Sequence, residues 1–521
     1  MTKRTVVLLS MTLANGMTLV DQTAVPLSLP NIMHEFGVGS QSAQWVLSAS
    51  LLTLAGLLVL GGRLGDLFGR RRIFVLGSTL FAGASALGGL APLFSVLLVC
   101  RALQGVGGAL MLPNTVAIVS AAFSERERGR ALGTMGGAAA VAGALGPTIG
   151  GILTGIFSWR AVLLVNVPLG VLAVGAALRA VAPDPPRDES PQVDIAGSVL
   201  LMIAIVALVF GLTQSQPWGW TSVAVIVSLL ASLAAAVAFV ITERRSPSPL
   251  MSFTLLSRYS NYLGATISQF IAGMAEMGLA LLFPLLLILN LGMSPGLAGL
   301  ALIPTTIPMI VIAPLAGRWY DRVGGRVPLV LGFALLAFSG VVLALGVHAN
   351  AYLGVLPGLL LFGVGLALVL SVNDPVTLDM VATPNQGQAS GVSATAEQFG
   401  GAVGIAALYV AFHTSYLSRL TGSIARSTLP DLTARQSLQF KNALTAAEQT
   451  GLRPKSFDVH LERYLPLARS ASNHGYAVAF VTVSVLAVIA IVLVARLVRK
   501  VVPTEPLQAP DAIAEFELPT S

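Results

Sequence analysis

Four ionisable side chains lie in stretches otherwise too apolar to hold charge: Asp21, Arg101, Glu276 and Glu397. A charge at membrane depth is expensive, so such groups mark proton relays, ion paths and substrate contacts. At 1.5 Å of rise per helical residue, Asp21 lies roughly 22 Å from the inner end of its helix, and Arg101 and Glu276 roughly 21 Å. Glu397 comes out shallower, at about 12–14 Å. Asp21 and Arg101 therefore meet at one depth if their helices are neighbours. Arg101 favours the ionised carboxylate and desolvation opposes it. That balance leaves Asp21 able to take and release a proton, and Asp21 with Arg101 is the candidate proton-coupling pair. The alternative is a static buried ion pair joining two helices. Glu276 and Glu397 are candidates for substrate binding or protonation, or else acids packed neutral. The three acids outnumber the arginine, so an ionised cavity would attract cations.

Those charges stand out because the chain has so few. Of its 521 residues, 55% are hydrophobic and 10% charged, against about 25% charged in soluble domains. An ordinary soluble enzyme, a secreted protein and a disordered chain are excluded. The single cysteine, Cys100, excludes a disulfide framework and a cysteine-based metal site. No phosphate-binding loop follows a strand, and the five histidines are scattered without metal-ligand spacing. No nucleophile and base converge. The sequence reads as neither an enzyme nor a cofactor or metal protein.

A membrane-crossing helix needs about 20 mostly apolar residues. That ruler predicts fourteen crossings: an all-α polytopic membrane protein. Residues 1–182 form a six-helix half and 183–258 carry two additional helices with their connections. Residues 259–502 form a second six-helix half, including an extracytoplasmic loop at 413–473. A disordered cytoplasmic tail occupies 503–521. Within the loop, 432–448 is polar and compatible with helix. Asp374 and Asp379 fall at the cytoplasmic end of the twelfth crossing. Trp45, Phe270, Phe283 and Phe399 are candidates for an apolar pocket, or for packing in lipid or core.

The basic residues give the orientation. With both termini cytoplasmic, 20 of the 30 Lys and Arg lie inside, while the short outer loops hold Arg160 alone. That is the positive-inside pattern. The net charge of +7 is then an address label, and nucleic acid is not an expected partner.

The chain also repeats itself. Gly62-Arg-Leu-Gly-Asp-Leu-Phe-Gly-Arg-Arg71 follows the second crossing, and Gly317-Arg-Trp-Tyr-Asp-Arg-Val-Gly-Gly-Arg326 follows the tenth. Arg63/Arg318, Asp66/Asp321, Gly69/Gly324 and Arg71/Arg326 share one offset. Both copies face the cytoplasm, so the halves are parallel repeats about an axis along the membrane normal. Gly62, Asp66, Gly69, Arg70, Arg71, Asp321 and Arg322 make a candidate conformational gate, in which Asp66 pairs with arginines of the neighbouring loop. In the fifth crossing Gly143, Gly146, Gly150 and Gly151 with Pro147 form a small-residue face. It suits close helix packing or a rocking interface between the halves.

With these segments the chain resembles major facilitator superfamily transporters, and within them the 14-helix drug:proton antiporter branch. The first loop matches the superfamily signature. Arg101-Ala-Leu-Gln-Gly-Val-Gly-Gly108 resembles the fourth-helix motif associated with proton coupling, and Gly143-Ala-Leu-Gly-Pro-Thr-Ile-Gly-Gly151 the fifth-helix motif of exporters. Leu19-Val-Asp-Gln-Thr-Ala-Val-Pro-Leu-Ser-Leu-Pro30, and Trp159-Arg160 with Asn166-Val-Pro-Leu-Gly170, resemble motifs of the branch. Two positions depart from it. Pro26 replaces the usual Asn, and Glu397 stands where many relatives carry a basic residue.

The resemblance implies a major facilitator fold with two six-helix halves plus two intervening helices. It also implies a monomer that exports drugs or other amphiphilic, cationic small molecules in exchange for protons. The setting would be a bacterial inner membrane, with the lipid bilayer as the other partner. A dedicated exporter of one metabolite, antibiotic or lipid stays open, and more remotely a polytopic membrane enzyme or sensor.

Overall fold

The computed structural model describes residues 2–38, 40–184, 194–246, 260–293, 295–378, 386–426 and 464–499, and among them it is all helical. The elements are α1 (Lys3–Phe36), α2 (Ser40–Phe68), α3 (Arg70–Gly89), α4 (Phe94–Ala122), α5 (Glu125–Ile156), α6 (Trp159–Leu164), α7 (Asn166–Ala180), α8 (Ile195–Trp218) and α9 (Val223–Glu243). There follow α10 (Ser260–Leu285), which runs on as a π-helical turn Leu286–Asn290, then α11 (Pro295–Ala301), α12 (Ile303–Val323), α13 (Arg326–Gly346), α14 (Tyr352–Leu378), α15 (Gln386–Ala425) and α16 (Leu465–Leu497).

Among the described residues twelve helical segments are long and apolar enough to cross a membrane. A thirteenth is α5, bent by 41° between Ala131–Gly143 and Thr148–Ile156. Pro147 sits in that break, as a helix-bending proline would. The fourteenth expected crossing, α1, is unbroken through Pro26 and Pro30. It falls short on apolarity because Asn15, Asp21, Gln22 and Thr23 occupy its middle. The expected sixth crossing is two helices, α6 and α7, that break at Val165 and Asn166.

Each rod folds as a helix because its backbone groups can be satisfied only internally in hydrocarbon. Packing then follows the repeat. The pairs α1 with α5, α2 with α4, and α3 with α4 and α7 recur as α10 with α15, α12 with α14, and α13 with α14 and α16. Contacts between the two groups run through α2 against α15 and α5 against α11 and α12, while α8 lies across both α2 and α15. Each group has its own apolar core. One is centred on Met11, Phe74, Phe81 and Met111, the other on Phe333, Leu336, Tyr476 and Phe480.

Two expected boundaries move. The 413–473 loop begins later, because α15 continues as helix to Ala425, and α16 starts at Leu465. At about 1.5 Å per residue, the 40-residue α15 is roughly 60 Å long, twice the hydrocarbon thickness. Tyr416 and Leu420 on its extension pack against Tyr464, Ala468 and Ala471. The stretch 432–448, the tail 503–521 and Asp379 lie outside the described residues.

Short polar ties hold the ends of the rods. Arg160 and the Trp159 indole N–H (2.6 Å) both bond to Glu35, joining the end of α1 to the start of α6. The Arg160 guanidinium and then the Trp159 bond hold the Glu35 carboxyl below the usual carboxylate range. This tie is therefore present at neutral pH and lost as pH falls through that lowered value.

At the start of α3, Gly69 has φ +105° and supplies no capping side chain. Asp184, reaching back from beyond α7, takes that role by accepting the backbone N–H groups of Arg71 (3.1 Å) and Arg72 (3.0 Å). A Cβ at Gly69 would collide with the Asp184 carboxylate. Replacing Asp184 by Ala is expected to lower stability by about 1 kcal/mol, the typical value of a helix cap. A thermal melt of the detergent-purified protein checks it, with Asp184→Asn retaining most of the effect.

Candidate functional site

The charged residues singled out from the sequence sort into two places. The first is sealed. Asp21 of α1 and Arg101 of α4 form an ion pair of 2.6 Å, each 1% exposed. Arg101 donates Nε to the Val46 carbonyl of α2 (2.8 Å) and a second N–H to Gln104 Oε1 (2.8 Å). The other Asp21 oxygen accepts the Asn166 amide of α7 (3.0 Å) and more distantly that of Gln104 (3.4 Å). Gln104 also donates to Ser85 Oγ of α3, which itself donates to the Phe81 carbonyl (2.8 Å). Five side chains from four helices thus make one cluster, three of them set around the buried charge pair. Isolated, either charge would be prohibitively costly; together, with their hydrogen bonds made, they persist.

Asn166 opens α7 where α6 ends and donates its amide to Asp21. Three of the five residues were not singled out as site residues. Gln104 and Asn166 lie inside motifs that carry the family resemblance, so a signal existed. Ser85 is one hydroxyl among many and offered none.

The second place is open. Glu276 of α10, Glu397 of α15 and Asp374 of α14 lie close enough for each charge to act on the next, Glu397 standing between the other two. Protein surrounds all three, yet Asp374 is solvent-exposed and the glutamates only half-buried. Groups walled in by protein but reached by solvent line a cavity. Asp374 Oδ1 accepts Ser393 Oγ from α15 (3.3 Å), and Gln269 of α10 donates its amide to Glu397. Asp374 does sit in the last turns of its helix, as the depth count placed it. It also belongs electrostatically with Glu397, which the count did not anticipate. Gln269 and Ser393 were missed too, because uncharged polar residues in a helix carry no signal of which neighbour they face.

One expected placement differs. Gly143, Gly146 and Gly150 pack on Leu19, Val20, Thr23 and Ala24 of α1, and Thr23 Oγ1 donates to the Gly143 carbonyl (2.8 Å). The small-residue face is thus an interface within the first group, not between the halves, because α1 lies directly on it. Gly151 is half-buried, and the Pro147 side chain lies outside the described residues. In the signature loop Asp66 bonds Arg70 one turn on (3.0 Å), and Arg70 reaches the Ala117 carbonyl. Arg71 donates to the Leu178 carbonyl (2.7 Å), and Gly62 is buried beside them. In the second copy Asp321 and Arg322 are exposed at the end of α12, and among the described residues they form no ion pair. Phe283 lies in the core against Phe362 and Phe480, whereas Phe270 and Phe399 pack on each other with their rings tilted by 59°. Trp45 packs on Phe210 of α8. No metal-binding group of His, Cys, Asp and Glu occurs among the described residues.

Comparison with known proteins places this arrangement. The family model described as Major Facilitator Superfamily matches residues 11–405. The multidrug resistance protein Stp of Mycobacterium tuberculosis is 32% identical over 87% of this chain and 84% of its own. The tetracenomycin C resistance and export protein of Streptomyces glaucescens is 31% identical over 99% of this chain and 94% of its own. Among solved structures, a bacterial homolog of the human lysosomal transporter Spinster, inward-facing and occupied, aligns with a TM-score of 0.59 at 17% identity. It covers 96% of this chain and 97% of that one, a likeness of fold.

Proposed function

The chain belongs to the major facilitator superfamily, and we propose that it is a proton-coupled antiporter exporting amphiphilic, cationic small molecules by alternating access. Membership makes it a multi-pass membrane transporter of small molecules and not an enzyme. The finer reading rests on the two charge sites. The observation that carries it is the placement of Glu276, Glu397 and Asp374 on a solvent-reached cavity with no basic side chain bonded to them among the described residues. Such a cavity attracts cations. Relatives named for multidrug resistance and antibiotic export support drug export. They equally support an exporter dedicated to one antibiotic, since several are named for a single compound.

In the mechanism we infer, cargo enters from the cytoplasmic side, where both termini lie, and meets Glu397 and Glu276. Asp21 holds Arg101 while the first half stays packed. A proton on Asp21 weakens that attraction, loosens α1 from α4 and biases the equilibrium toward the other access state. Proton entry along the pH gradient and the membrane potential then drives export. The pairing of Asp66 with Arg70 acts as the gate latch of the first half. Asp321 and Arg322 are its unlatched counterpart in the second. The chain works as a monomer in a bacterial inner membrane.

Proteoliposomes test this. Adding cationic dye to the purified protein across an imposed pH gradient is expected to release protons in step with dye movement. The double variant Glu276→Gln, Glu397→Gln is expected to slow transport of cationic dyes at least about tenfold, the loss of roughly 1.4 kcal/mol of binding. Neutral cargo would be unaffected. If every cationic dye moves at the wild-type rate in the double variant, the cargo is neutral or anionic. A panel of structurally unrelated dyes separates broad from dedicated export.

A further inference from the structure

The cavity acids carry information beyond charge, in the hydrogen-bonding capacity around them. Gln269 is 2% exposed and donates its amide N–H to Glu397. Its own Oε1, an amide's width away, is buried and has no donor among the described residues. Two helical turns further along the same face of α10, Glu276 Oε2 is buried and equally without a donor. Buried acceptors are nearly always paired, so each exception calls for a partner. Around Glu397 the described side chains offer acceptors in excess. Carboxylate oxygens accept only, and one of the two Gln269 amide N–H groups is already used on Glu397. The missing component is a cation that also donates hydrogen bonds.

We propose that the cargo is a protonated amine bearing at least two N–H groups, and that Gln269 selects it over a quaternary ammonium ion of the same size. One N–H would meet the glutamates and another the orphaned Gln269 carbonyl. A quaternary ion answers the charge but leaves that buried carbonyl without a donor. Sites built to hydrogen-bond a substrate N–H reject analogues lacking it, because their own polar groups are left unpaired. This inference rests on the cationic-cargo reading and narrows it.

The test is equilibrium binding to the purified full chain, by titration calorimetry, of 2-naphthylmethylamine and its N-methyl, N,N-dimethyl and N,N,N-trimethyl derivatives, with 2-naphthylmethanol as the neutral control. Affinity is expected to fall along the series, by about tenfold or more from the primary amine to the quaternary ion. Gln269→Leu is expected to flatten the series, and Gln269→Met does so if the first variant fails to fold. The wild-type series decides the cargo class without either. Equal affinity for the primary amine and the quaternary ion overturns the proposal and leaves the cationic reading standing. A wild-type order kept in a folded Gln269 variant overturns the role of Gln269. If the alcohol binds as tightly as the amines, or no amine binds, the cationic reading falls and this proposal with it.

Discussion

Asp21→Asn protein is expected to reach the membrane and bind cargo but to lose exchange of cargo for protons. The wild-type carboxylate accepts from Arg101 (2.6 Å), Asn166 (3.0 Å) and Gln104 (3.4 Å). Asn supplies one acceptor oxygen where three donors converge, and its NH₂ must face one of them. It also cannot titrate, so it cannot carry the proton. Arg101, 1% exposed, is left as a buried charge without a counterion. Removing one member of such a pair typically costs about 3–5 kcal/mol, so lost exchange could reflect a damaged fold alone. Adding Arg101→Gln separates the two causes. The double variant replaces the ion pair by neutral amides and is expected to recover most of the thermal stability. It is not expected to recover proton exchange in proteoliposomes. Recovery of both would make the pair a static strut. Wild-type exchange by Asp21→Asn alone would remove it from the coupling mechanism altogether.

The second large effect is expected at Gly273→Val. Here α10 and α15 touch backbone to backbone. A Cβ at Gly273 would fall on the Glu397 carbonyl oxygen, 2.9 Å from its carbon and 3.0 Å from the Cα. Gly400 repeats the arrangement in the opposite direction, against the Phe270 backbone. Backbone atoms cannot rotate away as a flexible side chain does, so valine must push the helices apart. Overpacking of this kind costs typically about 1–3 kcal/mol and occasionally more. Backbone against backbone belongs at the upper end. The same displacement carries Glu397 away from Gln269, so affinity for cationic cargo is expected to fall with the melting temperature. Gly273→Ala is expected to show a smaller loss of both. A Gly273→Val protein that melts and binds like the wild type would show that the two helices do not approach this closely.

The readings that held depend on properties a chain displays one residue at a time. Scarcity of charge and runs of apolar residues dictate helices in a membrane, because no other backbone geometry satisfies its own polar groups there. The shared offset of the two glycine-acid-glycine loops reports a repeat, and the packing of α1–α7 and α10–α16 has it. Even the meeting of Asp21 with Arg101 was legible, since depth is a count of residues along a straight rod. Length and apolarity alone, however, certify twelve or thirteen crossings among the described residues rather than fourteen. The helix that carries Asp21, α1, falls below that threshold of apolarity.

What the count along a rod does not contain is the rod's rotation about its own axis. That rotation decided which neighbours most of these residues face. It turned Gly143, Gly146 and Gly150 onto α1 instead of the opposite half, and of the two settings open to Phe283 it chose the core. It joined Asp374 to Glu397 and set Gln269 beside them. It brought Ser85, Gln104 and Asn166 around Asp21, while the chain beyond α7 folds back to set Asp184 at the start of α3 across more than a hundred residues. Rotation is fixed by how ridges of side chains on several helices interlock at once. Depth and charge are therefore written in the sequence, while the partner each charge faces emerges only when the whole bundle packs.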